Sequence, residues 1–176
     1  KILLDTGDPF VWDIVQDSKG YFYLATGNDG RIYKTNKNGD STLFFDAQEL
    51  VVFALEIDAK NNIFAATSPK GKIYQISPSG ASSVFFDPDD IYIWDIKFDH
   101  KGHLLVATGQ EGKIYQVSPK GEATVLLKSE QKHIRCLQIA TDGTIYAGSA
   151  GSGYIYKLEK GKKPYVLFDT QMAEVH

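Results

Sequence analysis

FDHKGHLLVATGQEGKIYQVSPKGE, residues 98–122, holds two short apolar segments, LLVAT and KIYQV, each bounded by glycine-bearing turns. Segments of five or six residues rich in Val, Ile, Leu and Tyr between such turns read as β-strands joined by hairpins. In Ser118-Pro119-Lys120-Gly121 the proline presets φ for the second turn position, and the glycine takes the left-handed conformation that closes a hairpin. Asp99-His100-Lys101-Gly102 serves the preceding hairpin in the same way.

Outward from this stretch the phrase recurs along all 176 residues with a period of 41. Gly30, Gly71, Gly112 and Gly153 share that spacing, each followed three residues later by tyrosine in RIY, KIY, KIY and YIY. Trp12, Phe53, Trp94 and Arg135 form a second ladder, and Gly39, Gly80, Gly121 and Gly161 a third with a one-residue slip at its end. One unit reads VWDIVQ, DSKG, YFYLAT, GNDG, RIYKT, NKNG, TLFFD: four strands, A to D, with a turn between each pair and no helical window.

The middle strands are apolar on both faces, since Phe22 and Leu24 alternate with Tyr23 and Ala25, so each sheet must be covered on both sides. Four-stranded antiparallel sheets of this length, each sandwiched between its neighbours, are blades of a β-propeller. A β-solenoid uses shorter coils and does not need three hairpin turns per unit. The expected fold class is therefore all-β, with four complete blades at 11–46, 52–87, 93–128 and 134–169.

Subtracting one period from Phe44, Phe45 and Asp46 reaches Leu3, Leu4 and Asp5, so residues 1–5 read as an orphan outer strand. Residues 170–176 read as the start of a further unit, His176 lying four periods after Trp12. The expectation is a partial propeller or half-ring, completed by the remaining blades of a parent chain or by a second copy. The first and third units share Trp-Asp and Ala-Thr-Gly, whereas the second and fourth carry Phe53-Ala54 and Arg135-Cys136, as if blades duplicated in pairs.

With 43% hydrophobic and 23% charged residues, the composition is that of an ordinary soluble globular chain. The longest apolar run, residues 50–55, is far shorter than a membrane-spanning helix requires. A net charge of -3 argues against nucleic-acid or anionic-membrane partners, which need clustered Lys and Arg. A single cysteine, Cys136, excludes an internal disulfide and a cysteine-based metal site, and on strand A it reads as a small buried hydrophobe.

The phrase of residues 98–122 resembles the units of bacterial propellers in the broad NHL, gluconolactonase-like and two-component-regulator-propeller group. The resemblance covers essentially the whole chain and implies a receptor, scaffold, sensor, or occasionally a hydrolase or lyase, in an extracytoplasmic bacterial setting. Trp12-Asp13 and Trp94-Asp95 look like the WD dipeptide but sit in strand A, whereas WD40 units carry theirs at the end of strand C. Gluconolactonase-type enzymes hold a metal with carboxylate and Asn ligands at the top of the channel, and a full ligand set does not map onto this chain.

In propellers strand A lines the channel, and the D-to-A and B-to-C loops gather where strand A begins. Those loops carry seven acids, Asp8, Asp29, Glu49, Asp89, Asp90, Glu111 and Glu130, against Lys70 and Lys132. The opposite turns carry Lys19, Lys37, Lys60, Lys101, Lys120, Lys160, Lys162 and Lys163, so the molecule is expected to be polarised. An acidic face suits a protein or small polar ligand. The channel mouth offers Trp12, Asp13, Phe53, Trp94, Asp95, His133 and Arg135 as a ligand-binding group, the competing reading being that these residues wedge neighbouring blades together.

Catalytic signatures are lacking. There is no GxSxG elbow, and the glycines of residues 148–153 lie on a hairpin rather than at a helix N-terminus. His100 and His103 flank a turn and read as solvent-exposed, and Asp87-Pro88-Asp89-Asp90 lacks EF-hand spacing. No cofactor, metal or catalytic residue is expected. The preferred function is a non-enzymatic protein-interaction or ligand-sensing module. The alternatives are a metal-dependent lactonase or lyase using some of Asp13, Asp95 and His133, and a structural repeat that self-associates.

Overall fold

Asp17, Asp58 and Asp99, one period apart, each place Oδ1 on the backbone N–H groups two and four residues ahead, at 2.8 to 2.9 Å. Each carboxylate thereby shapes the tight turn that starts a hairpin. A hydroxyl closes the next hairpin: Thr26, Thr67, Thr108 and Ser149, all buried, donate to the carbonyls of Arg31, Lys72, Lys113 and Tyr154. These recurring local devices fold every period into the same meander.

The computed structural model describes residues 4–176, in two units, Lys1–Asp89 and Asp90–His176. In the first, β1 (Val11–Gln16), β2 (Phe22–Thr26), β3 (Arg31–Thr35) and β4 (Ser41–Asp46) form one antiparallel sheet in sequence order. Its second sheet is β5 (Val51–Ile57), β6 (Ile63–Ser68), β7 (Ile73–Ile76) and β8 (Ser82–Phe86). The second unit repeats this with β9 (Tyr92–Phe98), β10 (Leu104–Gly109), β11 (Lys113–Val117) and β12 (Ala123–Lys128), followed by β13 (His133–Ile139), β14 (Ile145–Ala150), β15 (Tyr154–Leu158) and β16 (Tyr165–Asp169). Each unit joins its two sheets by one bridge, Gly27 with Val51 in the first and Gly109 with His133 in the second.

Residues 1–3, on which most of the expected orphan strand falls, lie outside the described residues, and Leu4 and Asp5 belong to no strand. At the other end Glu174 bridges Ala150, the register that His133 takes with Gly109 one period earlier.

Two features explain the ladders of the sequence. The glycines of the B-to-C hairpins have φ near +55° to +60°, and three of them also face a neighbouring backbone. A Cβ at Gly30 would strike the carbonyl of Glu49, at Gly112 that of Gln131, and at Gly153 that of Met172. At these three positions the glycine ladder thus marks where the following loop closes onto the hairpin. The other ladder is a β-bulge: Val11 pairs with Thr26 and Asp13 with Ala25, leaving Trp12 without an opposite residue. Phe53, Trp94 and Arg135 are skipped in the same way in β5, β9 and β13. A bulge re-aims its side chain, so one residue per blade leaves the pleat at the same height.

Between the sheets of each unit lies its own core. Tyr23, Ile32, Val52, Leu55 and Ile63 are buried in the first, and Leu105, Ile114, Ile134 and Leu137 in the second. Each such side chain contributes about 1.5–3 kcal/mol of burial.

Candidate functional site

The residues expected at the channel mouth are bulge residues and their neighbours, and they fall into one cluster in each unit. In the first unit Trp12 stands half exposed, stacked on Phe10 at 5.6 Å, with Phe53 edge-on at 5.0 Å. The indole lies over Gly27, where a Cβ would meet Nε1.

One period pair later, in the second unit, the same positions carry a polar version. Trp94 stacks on Tyr92 at 4.8 Å and 9°, and the Arg135 guanidinium lies 3.8 Å from the Trp94 ring centre. Such a cation over an indole face is attracted by the ring quadrupole. The Trp94 Nε1–H donates to His133 Nδ1 at 3.2 Å, and Arg135 Nε pairs with Glu174 at 2.6 Å. Gly109 again leaves room for the indole, since a Cβ would strike both Trp94 Nε1 and His133 Nδ1. Burial, then the charges of Arg135 and Lys132, push the His133 pKa below its ordinary value. The imidazole is therefore neutral near pH 7, its proton on Nε2 and its Nδ1 free to accept the indole bond.

The two aspartates do something the sequence did not disclose. Asp13 Oδ2 accepts the backbone N–H of Leu55 at 2.7 Å, and Asp95 Oδ2 accepts that of Leu137 at 2.7 Å. Each carboxylate ties the first sheet of its unit to the inner strand of the second. Ala54 and Cys136 occupy this position in the second sheet of each unit, so the tie occurs once per unit. Burial raises the Cys136 thiol pKa, in keeping with an inert thiol.

The loop acids divide. Asp29, Asp89, Glu111 and Glu130 are exposed, with Asp29 paired to Arg31 at 2.9 Å and Glu111 to Lys113 and Lys128 at 3.8 and 3.7 Å. Asp8 is half-buried. Glu49 and Asp90 are buried and point back into their own blades: Glu49 meets Lys70 at 3.4 Å, and Asp90 Oδ2 accepts from Tyr115 at 3.4 Å. Burial raises the Asp90 pKa even though Thr108, Lys113 and Tyr115 oppose it. Gln131, one period on from Asp90, accepts from the Ser152 amide at 3.0 Å, so it latches the last B-to-C hairpin as Glu49 does the second through Lys70. The acidic loops consequently present fewer solvent-facing carboxylates than their composition promises.

Phe10, Tyr92, Gly27, Gly109 and Glu174 complete the two clusters without having been singled out in the sequence. Their signal was available in the same ladders, because Phe10 and Tyr92, like Gly27 and Gly109, lie two periods apart.

Against solved structures, the chain matches a streptogramin B lyase with a TM-score of 0.80 at 15% identity, covering 94% of this chain and 57% of that one. The fold is that of a β-propeller. Virginiamycin B lyase from Staphylococcus aureus matches at TM-score 0.78 and 11% identity, over 91% of this chain and 56% of that one. The WD40 β-propeller domain of Doa1 matches at 0.76 and 18%, over 86% and 51%. This chain thus spans about half the length of each. No protein-family model matches the sequence, and no curated protein does.

Proposed function

We propose that the chain is a non-enzymatic recognition module built of propeller blades, akin to the NHL-like group, which binds a protein or small polar ligand through the bulge cluster of its second unit. One observation carries this reading. The titratable groups of that cluster are already engaged: Asp95 with the Leu137 amide, His133 with the Trp94 indole, Arg135 with Glu174. What remains to meet a ligand is an assembly of ring faces and a guanidinium edge, a surface for stacking and hydrogen bonding. The enzyme alternative needs Asp13 and Asp95 as metal ligands or bases, and their use as backbone ties counts against it.

Panels of peptides and oligosaccharides, scored by tryptophan emission and by surface-immobilised binding, test the proposal. Binding that falls at least about tenfold in Trp94→Ala and Arg135→Ala supports it, since a stacked or charge-assisted contact is worth about 1–3 kcal/mol. Gly109→Ala, which drives a methyl into the indole, is expected to weaken the same ligands. Ligands indifferent to all three substitutions would place recognition elsewhere. Calcium-dependent lactone hydrolysis lost in Asp95→Asn would establish the enzyme instead.

A further inference from the structure

We propose that the second unit carries a separate binding site for a small aromatic carboxylate, in a groove at the end of its strands opposite the Trp94 cluster. The cavity measures about 530 Å³, within the roughly 300–1,000 Å³ of small-molecule sites. Leu126, Ile145, Leu158 and Pro164 supply its apolar wall, and Lys101 and Lys160 stand on its polar edge.

The pseudo-repeat shows what chemistry fits there. Two periods earlier, in the first unit, the strand B and strand D positions carry Tyr23 and Phe44, whose rings meet edge-on at 4.9 Å. Lys34 brings its ammonium within 4.4 Å of the Tyr21 ring and 5.2 Å of the Tyr23 ring. In the second unit the corresponding residues are Leu105, Leu126, Gln116 and His103. Phe44, Tyr21 and Lys34 fill the space in one copy, and in the other Leu126, His103 and Gln116, which line the groove, leave it open, over the same aliphatic wall that Ile63 and Ile76 form in the first unit. An aromatic ring supplied from outside would restore the lost contact.

Charge selects the substituent. Asp99 accepts from the amides of Lys101 and His103, from His103 Nδ1 at 2.9 Å and from Gln116 Nε2 at 3.0 Å, so all its lone pairs are used. Glu159 is paired with Lys162 at 3.1 Å and Lys157 at 3.6 Å, and Asp142 caps the Thr144 amide. Among the described residues Lys101 and Lys160 have no acidic partner, and an anionic group carried by the ring meets them.

The experiment titrates the chain with phenylacetate, 2-phenylethanol and acetate, following backbone amide shifts by NMR and affinity by calorimetry. Phenylacetate is expected to shift the amides of Leu126, Gly143 and Leu158. The uncharged alcohol and the ringless acid should each bind at least about tenfold more weakly, the loss expected for one charge-assisted or ring-burial contribution. Leu126→Phe, which fills the groove as Phe44 does, should abolish binding, and Lys101→Ala with Lys160→Ala should weaken it with no change in thermal unfolding. If Leu126→Phe unfolds the chain, the lysine pair alone decides. Equal binding of alcohol and acid, shifts confined to other residues, or unchanged affinity in the lysine variants would overturn the proposal.

Discussion

Asp95→Ala removes the acceptor of the Leu137 amide. The bond is short, 2.7 Å, the carboxylate is 16% exposed, and Leu137 itself is 4% exposed, so water cannot replace the lost partner without opening the sheet. A hydrogen bond to a charged group is worth about 1.5–3 kcal/mol, and a buried donor left unsatisfied costs a similar amount. Both describe the same event, so the expected loss is about 2–3 kcal/mol. With an m-value on the order of 1 kcal/mol/M for a unit of this size, the urea midpoint falls by roughly 2–3 M. Asp95→Asn keeps the shape and a neutral acceptor and should lose about half as much. The ion pair of Asp95 with Lys97 is long, 3.8 Å, and its lysine is 38% exposed, so it contributes little, and Lys97→Ala is the control. Hydrogen exchange provides the local reading: the Leu137 amide should lose protection in Asp95→Ala while amides of β11 and β15 change less. A midpoint displaced by under about 0.5 kcal/mol equivalent, with Leu137 protection intact, would refute the claim that this carboxylate ties the two sheets together.

Two further predictions concern protonation. Because the His133 pKa is depressed, the unfolded chain binds that proton more readily, so its contribution to stability is present above the ordinary histidine value of 6.5 and is lost as pH falls below it. In a Trp12→Phe background the emission of Trp94 should change over that interval as protonated Nδ1 ceases to accept the indole, and a flat profile would refute the bond. Asp90 behaves oppositely: its raised pKa means that the folded chain binds the proton more tightly, so stability falls as pH rises above the ordinary value of 3.8. Asp90→Asn should raise the neutral-pH urea midpoint and flatten this dependence, and a lower midpoint would show that the charge is held favourably.

The strands and their turns were legible because they rest on local chemistry: an Asx turn at Asp99, a glycine at positive φ in Gly102, and the apolar run of residues 104–107 that follows them. Whatever depended on contacts one period away was only half visible. The glycine ladder could be seen, but not that Gly112 yields to the carbonyl of Gln131. Trp12 and Trp94 could be seen as equivalent, but not as bulge residues, since a bulge is defined by the register of the opposite strand. Glu49 and Asp90 read as solvent-facing loop acids because composition alone carries no direction for a side chain.

The repeat therefore has two periods, and they govern different things. Forty-one residues set the blade, through turns, hydroxyl caps and glycines that every copy needs in order to fold. Eighty-two residues set the junction, since Asp13 and Asp95 act once per unit while Ala54 and Cys136 leave the alternate position without a carboxylate. Selection on folding holds the first set alike, so a binding difference must arise where equivalent positions diverge. They diverge at both ends of the second unit: Phe10 and Phe53 become Tyr92 and Arg135 around the tryptophan, and Tyr21 and Phe44 become His103 and Leu126 at the groove. One end gains polar groups on an aromatic surface and the other loses rings from an aliphatic one. Substituting Leu126→Phe should therefore close the groove without disturbing the Trp94 cluster, because the groove is lined from β11, β12, β14 and β15 whereas the cluster stands on β9, β10 and β13.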